Sequence, residues 1–345
     1  MSSLAAGIRN VAGACVLAGL TALSTPGSAQ EQTQQPAETT IINPTAQGVT
    51  QQQLLQQEPR ITGRITIPDS RAAVLIQPAG REWRAFHEVA LRWIAAIAIL
   101  GMLVILVAFY LTRGMVRLES GRSGRTIVRF NAFERFVHWM TATCFIILGL
   151  SGLNITFGKK LLMPLMSPDA FATFSDWAKH AHNYLSFPFT IGVVLIFLMW
   201  LGGNIPNRRD VEWLKRGGGI VGHDHPPADR FNAGQKAVYW IVVLGGAAVA
   251  ISGYVLIFPF YGTGIGDMHT AHIVHSVIAV LFFAVMLAHI YIGTIGMEGA
   301  FEAMGSGTVD ENWAREHHSV WLEKELREGK ADGPRGPEPF STPAE

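Results

Sequence analysis

HIVHSVIAVLFFAVMLAH, residues 272–289, sets three histidines in an otherwise apolar run. The run reads as the inside of a membrane helix, where a bare imidazole costs free energy. Side chains of this kind face a bundle interior and have work to do there. His275 and His289 are 14 residues apart. At about 100° and 1.5 Å per residue they share one helix face within about 40°, separated by about 21 Å along the axis. His272 lies off that face relative to His289. One stripe of one helix therefore offers two imidazoles, at two depths.

The rest of the chain supplies the bundle. Of its 345 residues 49% are hydrophobic and only 15% charged, a balance of membrane proteins rather than soluble ones. Besides His269–Met297, four stretches lack Asp, Glu, Lys and Arg: Trp93–Thr112, Val137–Gly158, Asn183–Asn207 and Ala237–Gly266. Each is long enough to cross a hydrocarbon core of about 30 Å as a helix. The fold expected is an all-α transmembrane helical bundle with five spans.

Arginines set the topology. Arg113, Arg117, Arg122, Arg125 and Arg129 follow the first span, and NRRDVEWLKR (207–216) follows the third. The positive-inside rule puts residues 113–136 and 208–236 in the cytoplasm, with the N-terminus periplasmic and the C-terminus cytoplasmic. Arg9, the short apolar run VAGACVLAGLTAL and the small residues near Ala29 read as a secretory signal peptide over residues 1–29, which agrees. Residues 30–82 are a periplasmic Gln-rich linker ending in a small ordered element, with ITI and AAVLI as short strands. Residues 83–128 hold the extra first span and its connector, 129–297 the four-helix domain, and 298–345 a solvated cytoplasmic tail that exposes His317 and His318.

Depth pairs the histidines. His182 opens the third span and His275 the fifth, both from the periplasmic side. His138 opens the second span from the cytoplasmic side, level with His289. Two bis-histidine pairs stacked across a membrane fit the axial ligation of two b-type haems, since neutral imidazole binds iron and helical bundles build such sites between facing helices. The rival reading is a histidine-lined ion pathway. No carboxylate accompanies these residues inside a span, which disfavours a non-haem metal. Cys15 and Cys144 form no Cys-x-x-Cys, so thiolate clusters are not indicated. The net charge of +1 gives no sign of nucleic-acid binding. RFNAFERFVHW (129–139) and RFNAGQKAVYW (230–240) agree at seven of eleven positions when Arg135 and Lys236 are equated. The echo reads either as a duplicated helix pair or as shared chemistry at the start of a span.

ERFVHW, HNYLSF leading into GGNIPNRRDVEWL, FNAGQK, the His-x13-His span and WAREHH resemble the gamma subunits (cytochrome b556) of membrane-bound respiratory formate dehydrogenases. The resemblance covers roughly Arg129–Glu325. It implies a four-helix di-haem cytochrome b core, to which this chain adds one N-terminal transmembrane helix. By that resemblance His182 and His275 ligate a periplasmic haem and His138 and His289 a cytoplasmic one. A quinone site is implied around Asn232, Gly234, Gln235 and His289. Asn232 also reads independently as a helix N-cap. The implied partners are an iron–sulfur beta subunit and a molybdenum- or tungsten-containing alpha subunit, and the implied place is the bacterial inner membrane. A hydrogenase cytochrome b shares the histidine spacing and stays open as an alternative, as does a haem-free anchor.

Overall fold

The computed structural model describes residues 78–219 and 224–329. The proposed signal peptide, the Gln-rich linker and the strands ITI and AAVLI lie outside the described residues. Residues up to Val89 form one unit and those from Ala90 another. In the first, α1 (Pro78–Ala85) runs into a π-helical turn. There Trp83 stacks on His87 at 5.1 Å.

The second unit is built on α2 (Leu91–Arg113), α3 (Ala132–Leu161), α4 (Pro168–Trp200), a short α5 (Arg208–Lys215), α6 (Ala233–Ile257) and α7 (Ile265–Tyr291). Among the described residues five helices are long and apolar enough to cross a membrane: α2, α3, α4, α6 and α7. Their starts are written locally. Asn131, Asn207 and Asn232 each cap a helix and close a capping box with Glu134, Asp210 and Gln235. Ser167 caps α4 ahead of Pro168 at the first helical position. At the end of α2, Gly114 takes a positive φ of 68°, a turn that a β-carbon would strain.

Helix α3 packs on α4, α6 on α7, and α4 on α6, while α2 lies on α7. The rings of Phe145 on α3 and Phe282 on α7, 4.9 Å apart, close the four-helix ring. Small residues allow the approach. A β-carbon on Gly192 would stand 2.0 Å from the Thr141 hydroxyl, and one on Gly246 2.9 Å from Val193. The added helix α2 sets Phe109 edge-on to Tyr291 and turns Trp93, Ile97, Val104 and Leu111 outward, a surface suited to lipid.

A folded cap closes one end of the bundle. Strand β1 (Thr126–Val128) pairs antiparallel with β2 (Thr308–Asp310), Ile127 opposite Val309. Three short helices accompany them: α8 (Ala300–Gly305), α9 (Glu311–His317) and α10 (Ser319–Arg327). Trp313, Ala314, Trp321 and Leu322 join Phe130, Val137, Trp200 and Phe231 in one buried cluster. The expectation of a solvated tail with exposed histidines therefore fails over residues 298–327. His318 is fully buried and His317 nearly so. The charges of this segment misled the reading. Glu316 accepts hydrogen bonds from the Glu119 and Ser120 amides, and Asp310 from those of Ser123, Gly124 and Asn312, so these carboxylates pin loops instead of facing water.

Candidate functional site

Two histidine pairs stand between the membrane helices, His289 exposed and the other three rings partly so. His182 on α4 meets His275 on α7, ring centres 6.1 Å apart and planes at 70°. His138 on α3 meets His289 on α7, at 6.3 Å and 61°. The pairs are separated by the 14 residues of α7 between their members, about 21 Å of helix. We call His182–His275 the outer pair and His138–His289 the inner pair, the inner one lying at the end with the folded cap.

The spacing fits a metal held between two imidazoles. A metal–nitrogen bond of about 2 Å plus about 1.1 Å from nitrogen to ring centre, taken on both sides, puts the ring centres about 6 Å apart. Edge-to-face packing alone reaches the same range. The nitrogens separate the two readings. Nδ1 of His182 is 2.8 Å from the Ser151 hydroxyl, and Nδ1 of His275 is 3.0 Å from the Val249 carbonyl and 3.2 Å from the Ser252 hydroxyl. A carbonyl only accepts, so Nδ1 of His275 carries the proton and its Nε2 keeps a free lone pair. Among the described residues no hydrogen bond engages Nε2 of any of the four, and Nδ1 of His138 is buried without a partner. The four rings are part-exposed or, at His289, exposed, so their unbonded Nε2 atoms are open to a ligand.

The donor set says which ligand fits. Among the described residues no group of three or more His, Cys, Asp or Glu comes together as a metal site. A bare ion would find two imidazoles and nothing else. A metal that brings its own four equatorial nitrogens needs only two axial ones, and haem is that group. The residues present fit it at both levels. Glycines leave the outer rings their room, since a β-carbon on Gly152 would stand 3.6 Å from Cε1 of His182 and one on Gly253 3.2 Å from Cε1 of His275.

Asn232, Gly234 and Gln235 begin α6. The Asn232 Oδ1 accepts from the Gln235 amide at 3.0 Å, and the Gln235 Oε1 accepts from the Asn232 amide at 3.2 Å. Both side-chain oxygens serve the cap, which leaves both amide nitrogens as donors. Gly234 lets the Trp213 ring approach, to 3.2 Å from where a β-carbon would be. The N-cap reading of Asn232 is thus realised, and it leaves the residue a donor.

The echoed segments meet face to face. Nη2 of Arg129 donates to the Arg230 carbonyl at 2.5 Å, and Nη2 of Arg230 to the Arg129 carbonyl at 2.8 Å. Phe130 and Phe231 lie 6.1 Å apart. Trp139 and Trp240 each donate to a backbone carbonyl, of Met304 and Asn204. This reciprocity favours the duplicated helix pair. Sequence reasoning missed what Arg129 does next. Its guanidinium sits among Phe130, Trp313 and Trp321, 5.0–5.4 Å from each ring, and its Nη2 lies 3.0 Å from Nε2 of His318. Burial and the nearby Arg230 lower its pKa to about 9, so it stays charged at neutral pH. His318 gives the Asp229 carbonyl its Nδ1 proton at 2.8 Å, and burial and Arg129 hold its pKa well below 6.5. Ser151 and Ser252 were missed too. Their signal was a Ser-Gly pair inside two apolar spans, 101 residues apart like the echoed segments.

A family model described as prokaryotic cytochrome b561 matches residues 129–307, which hold all four paired histidines. The formate dehydrogenase cytochrome b556(fdo) subunit of Escherichia coli K12 is 31% identical over 206 residues, covering 59% of this chain and 94% of that protein. The nitrate-inducible formate dehydrogenase cytochrome b556(Fdn) subunit of the same strain is 24% identical over 218 residues, covering 61% and 98%. The formate dehydrogenase cytochrome b556 subunit of Haemophilus influenzae Rd is 25% identical over 222 residues, covering 61% and 88%.

Proposed function

Because the chain belongs to the prokaryotic cytochrome b561 family, we propose that it is the integral-membrane cytochrome b subunit of a formate dehydrogenase complex. His182 and His275 would hold one haem b, and His138 and His289 a second. When bound, the two haems supply one-electron redox chemistry that links a donor at the periplasmic face to quinone near the cytoplasmic face. The chain's own residues do the rest. The four imidazoles present neutral nitrogens at two depths, and the apolar bundle keeps water from the path between them. The amide nitrogens of Asn232 and Gln235 donate to a quinone carbonyl, since their oxygens are held by the cap. The inner end carries the arginine-rich segments 113–129 and 208–216, which supports a cytoplasmic place for it in a bacterium whose inner membrane this chain spans.

The electron donor is an iron–sulfur subunit on the periplasmic side. Formate oxidation itself belongs to a molybdenum- or tungsten-containing subunit, as the resemblance implies. The observation that carries the reading is the pair of imidazole pairs, each about 6 Å across and one at each end of α7. The similarity to formate dehydrogenase cytochrome b556 subunits favours formate over hydrogen as the reductant. The test is to purify the native complex and add formate anaerobically. Formate should reduce a b-type chromophore and added quinone should reoxidise it. Reduction by hydrogen but not formate would transfer the chain to a hydrogenase. Absence of b-type bands would leave an ion pathway or a haem-free anchor.

A further inference from the structure

The outer pair is built from two copies of one local device. Ser151 follows Arg129 by 22 residues, and Ser252 follows Arg230 by 22. Each serine hydroxyl reaches back along its own helix, Ser151 to the Ile147 carbonyl at 2.7 Å and Ser252 to the Ala248 carbonyl at 2.6 Å. Each then stands beside Nδ1 of a histidine on the next membrane helix, at 2.8 Å for His182 and 3.2 Å for His275. Each is followed by the glycine that faces Cε1 of the same ring.

A hydroxyl has one hydrogen, and the carbonyl four residues back, at 2.6–2.7 Å, is its nearest acceptor. With the hydrogen there the serine oxygen turns a lone pair to the ring and Nδ1 is the donor, as the Val249 carbonyl independently requires at His275. That fixes the tautomer, with the proton on Nδ1 and the free lone pair on Nε2. We propose that Ser151 and Ser252 are positioning residues of the outer haem site. Ser151 on His182, and Ser252 together with the Val249 carbonyl on His275, hold the ligating tautomer and, by accepting from Nδ1, raise the electron donation of the rings to the metal. Stronger donation favours the oxidised metal, so the two serines lower the potential at the outer pair. The inner pair has no such device, for Nδ1 of His138 has no partner among the described residues. This inference rests on the reading that the pairs hold haem.

The test uses the full-length protein in detergent, with Ser151→Ala, Ser252→Ala, the double variant, and Ser151→Thr and Ser252→Thr. Threonine keeps a hydroxyl that can bond the same carbonyl. Redox titration of the b-type absorbance resolves two components, and His275→Ala identifies the outer one as the component it removes. Electron paramagnetic resonance of the oxidised protein reports the axial ligand field independently of turnover. Each alanine variant should keep both haems, raise the potential of the outer component alone and change its resonance signal. The double variant should shift further, and threonine should return the value toward wild type. Two bound haems with neither potential nor signal moved would overturn the inference and leave the haem reading intact. So would equal shifts of both components, or loss of the outer haem that threonine does not restore. A wild-type protein without two b-type components would overturn both.

Discussion

Arg129 and His318 form a buried pair whose coupling can be measured. Arg129→Met removes the donor to Nε2 of His318 and to the Arg230 carbonyl, and with it the cation among Phe130, Trp313 and Trp321. An orphaned buried acceptor costs roughly 1–3 kcal/mol, and a desolvated cation–π contact contributes about 2 kcal/mol. Regained solvation of the lost charge offsets part of this, so about 3 kcal/mol is expected for the single variant. His318→Leu leaves the buried guanidinium short of an acceptor and should cost a similar amount, about 2–3 kcal/mol. Removing both partners orphans fewer groups. The double variant should therefore be milder than the sum by about 2 kcal/mol. The assay is urea-dependent proteolysis of the cap, residues 298–327, in the purified protein, read by mass spectrometry. Strict additivity would refute the claim that this pair, rather than general burial, joins the cap to the bundle.

Three further outcomes follow from the same geometry. His275→Ala should take the protein from two haems to one, because the inner pair lies about 21 Å away and shares no ligand with the outer one; loss of both haems, or of neither, counts against the pairing. Asn232→Ser keeps a good N-cap but deletes the amide donor, so stability should hold within about 0.5 kcal/mol while the KM for quinone rises several-fold and haem content stays fixed; an unchanged KM removes Asn232 from the quinone site. Acid should release the cap. His317 is lowered to about 4 by burial, with Glu316 opposing and His225 and Arg129 adding to the shift, and His318 is lowered too. Below about pH 6.5 the unfolded cap takes up protons that the folded cap refuses. Stability is thus full above that pH and falls toward pH 4, by roughly 3 kcal/mol for His317 alone. Proteolysis of residues 298–327 at pH 7.5 and pH 4.5 checks the sign, and equal protection at both would contradict it.

Much of the bundle was legible because lipid imposes simple rules. Uncharged runs of some 20 residues have to be helices, and imidazoles on one stripe have to face inward. Depth then paired His182 with His275 and His138 with His289, and the structure brings the same residues together. The cap was not legible. Its buried side uses isolated residues such as Trp313, His318 and Trp321 on helices too short to show a period, and charges such as Asp310 and Glu316 are spent on backbone amides. Arg129 was read as one more topogenic charge, because nothing in the sequence shows that two tryptophans nearly 200 residues away close around it. The serines beside the outer pair were hidden in apolar runs where a hydroxyl usually just bonds its own helix.

On the proposed reading, four imidazoles hold two haems in one chain. Its most direct test is haem and iron content per chain in the purified full-length protein, measured together with the reduced-minus-oxidised spectrum. Two haems b per chain are expected, both six-coordinate and low-spin. One haem or none, or a high-spin iron with an open position, would contradict it.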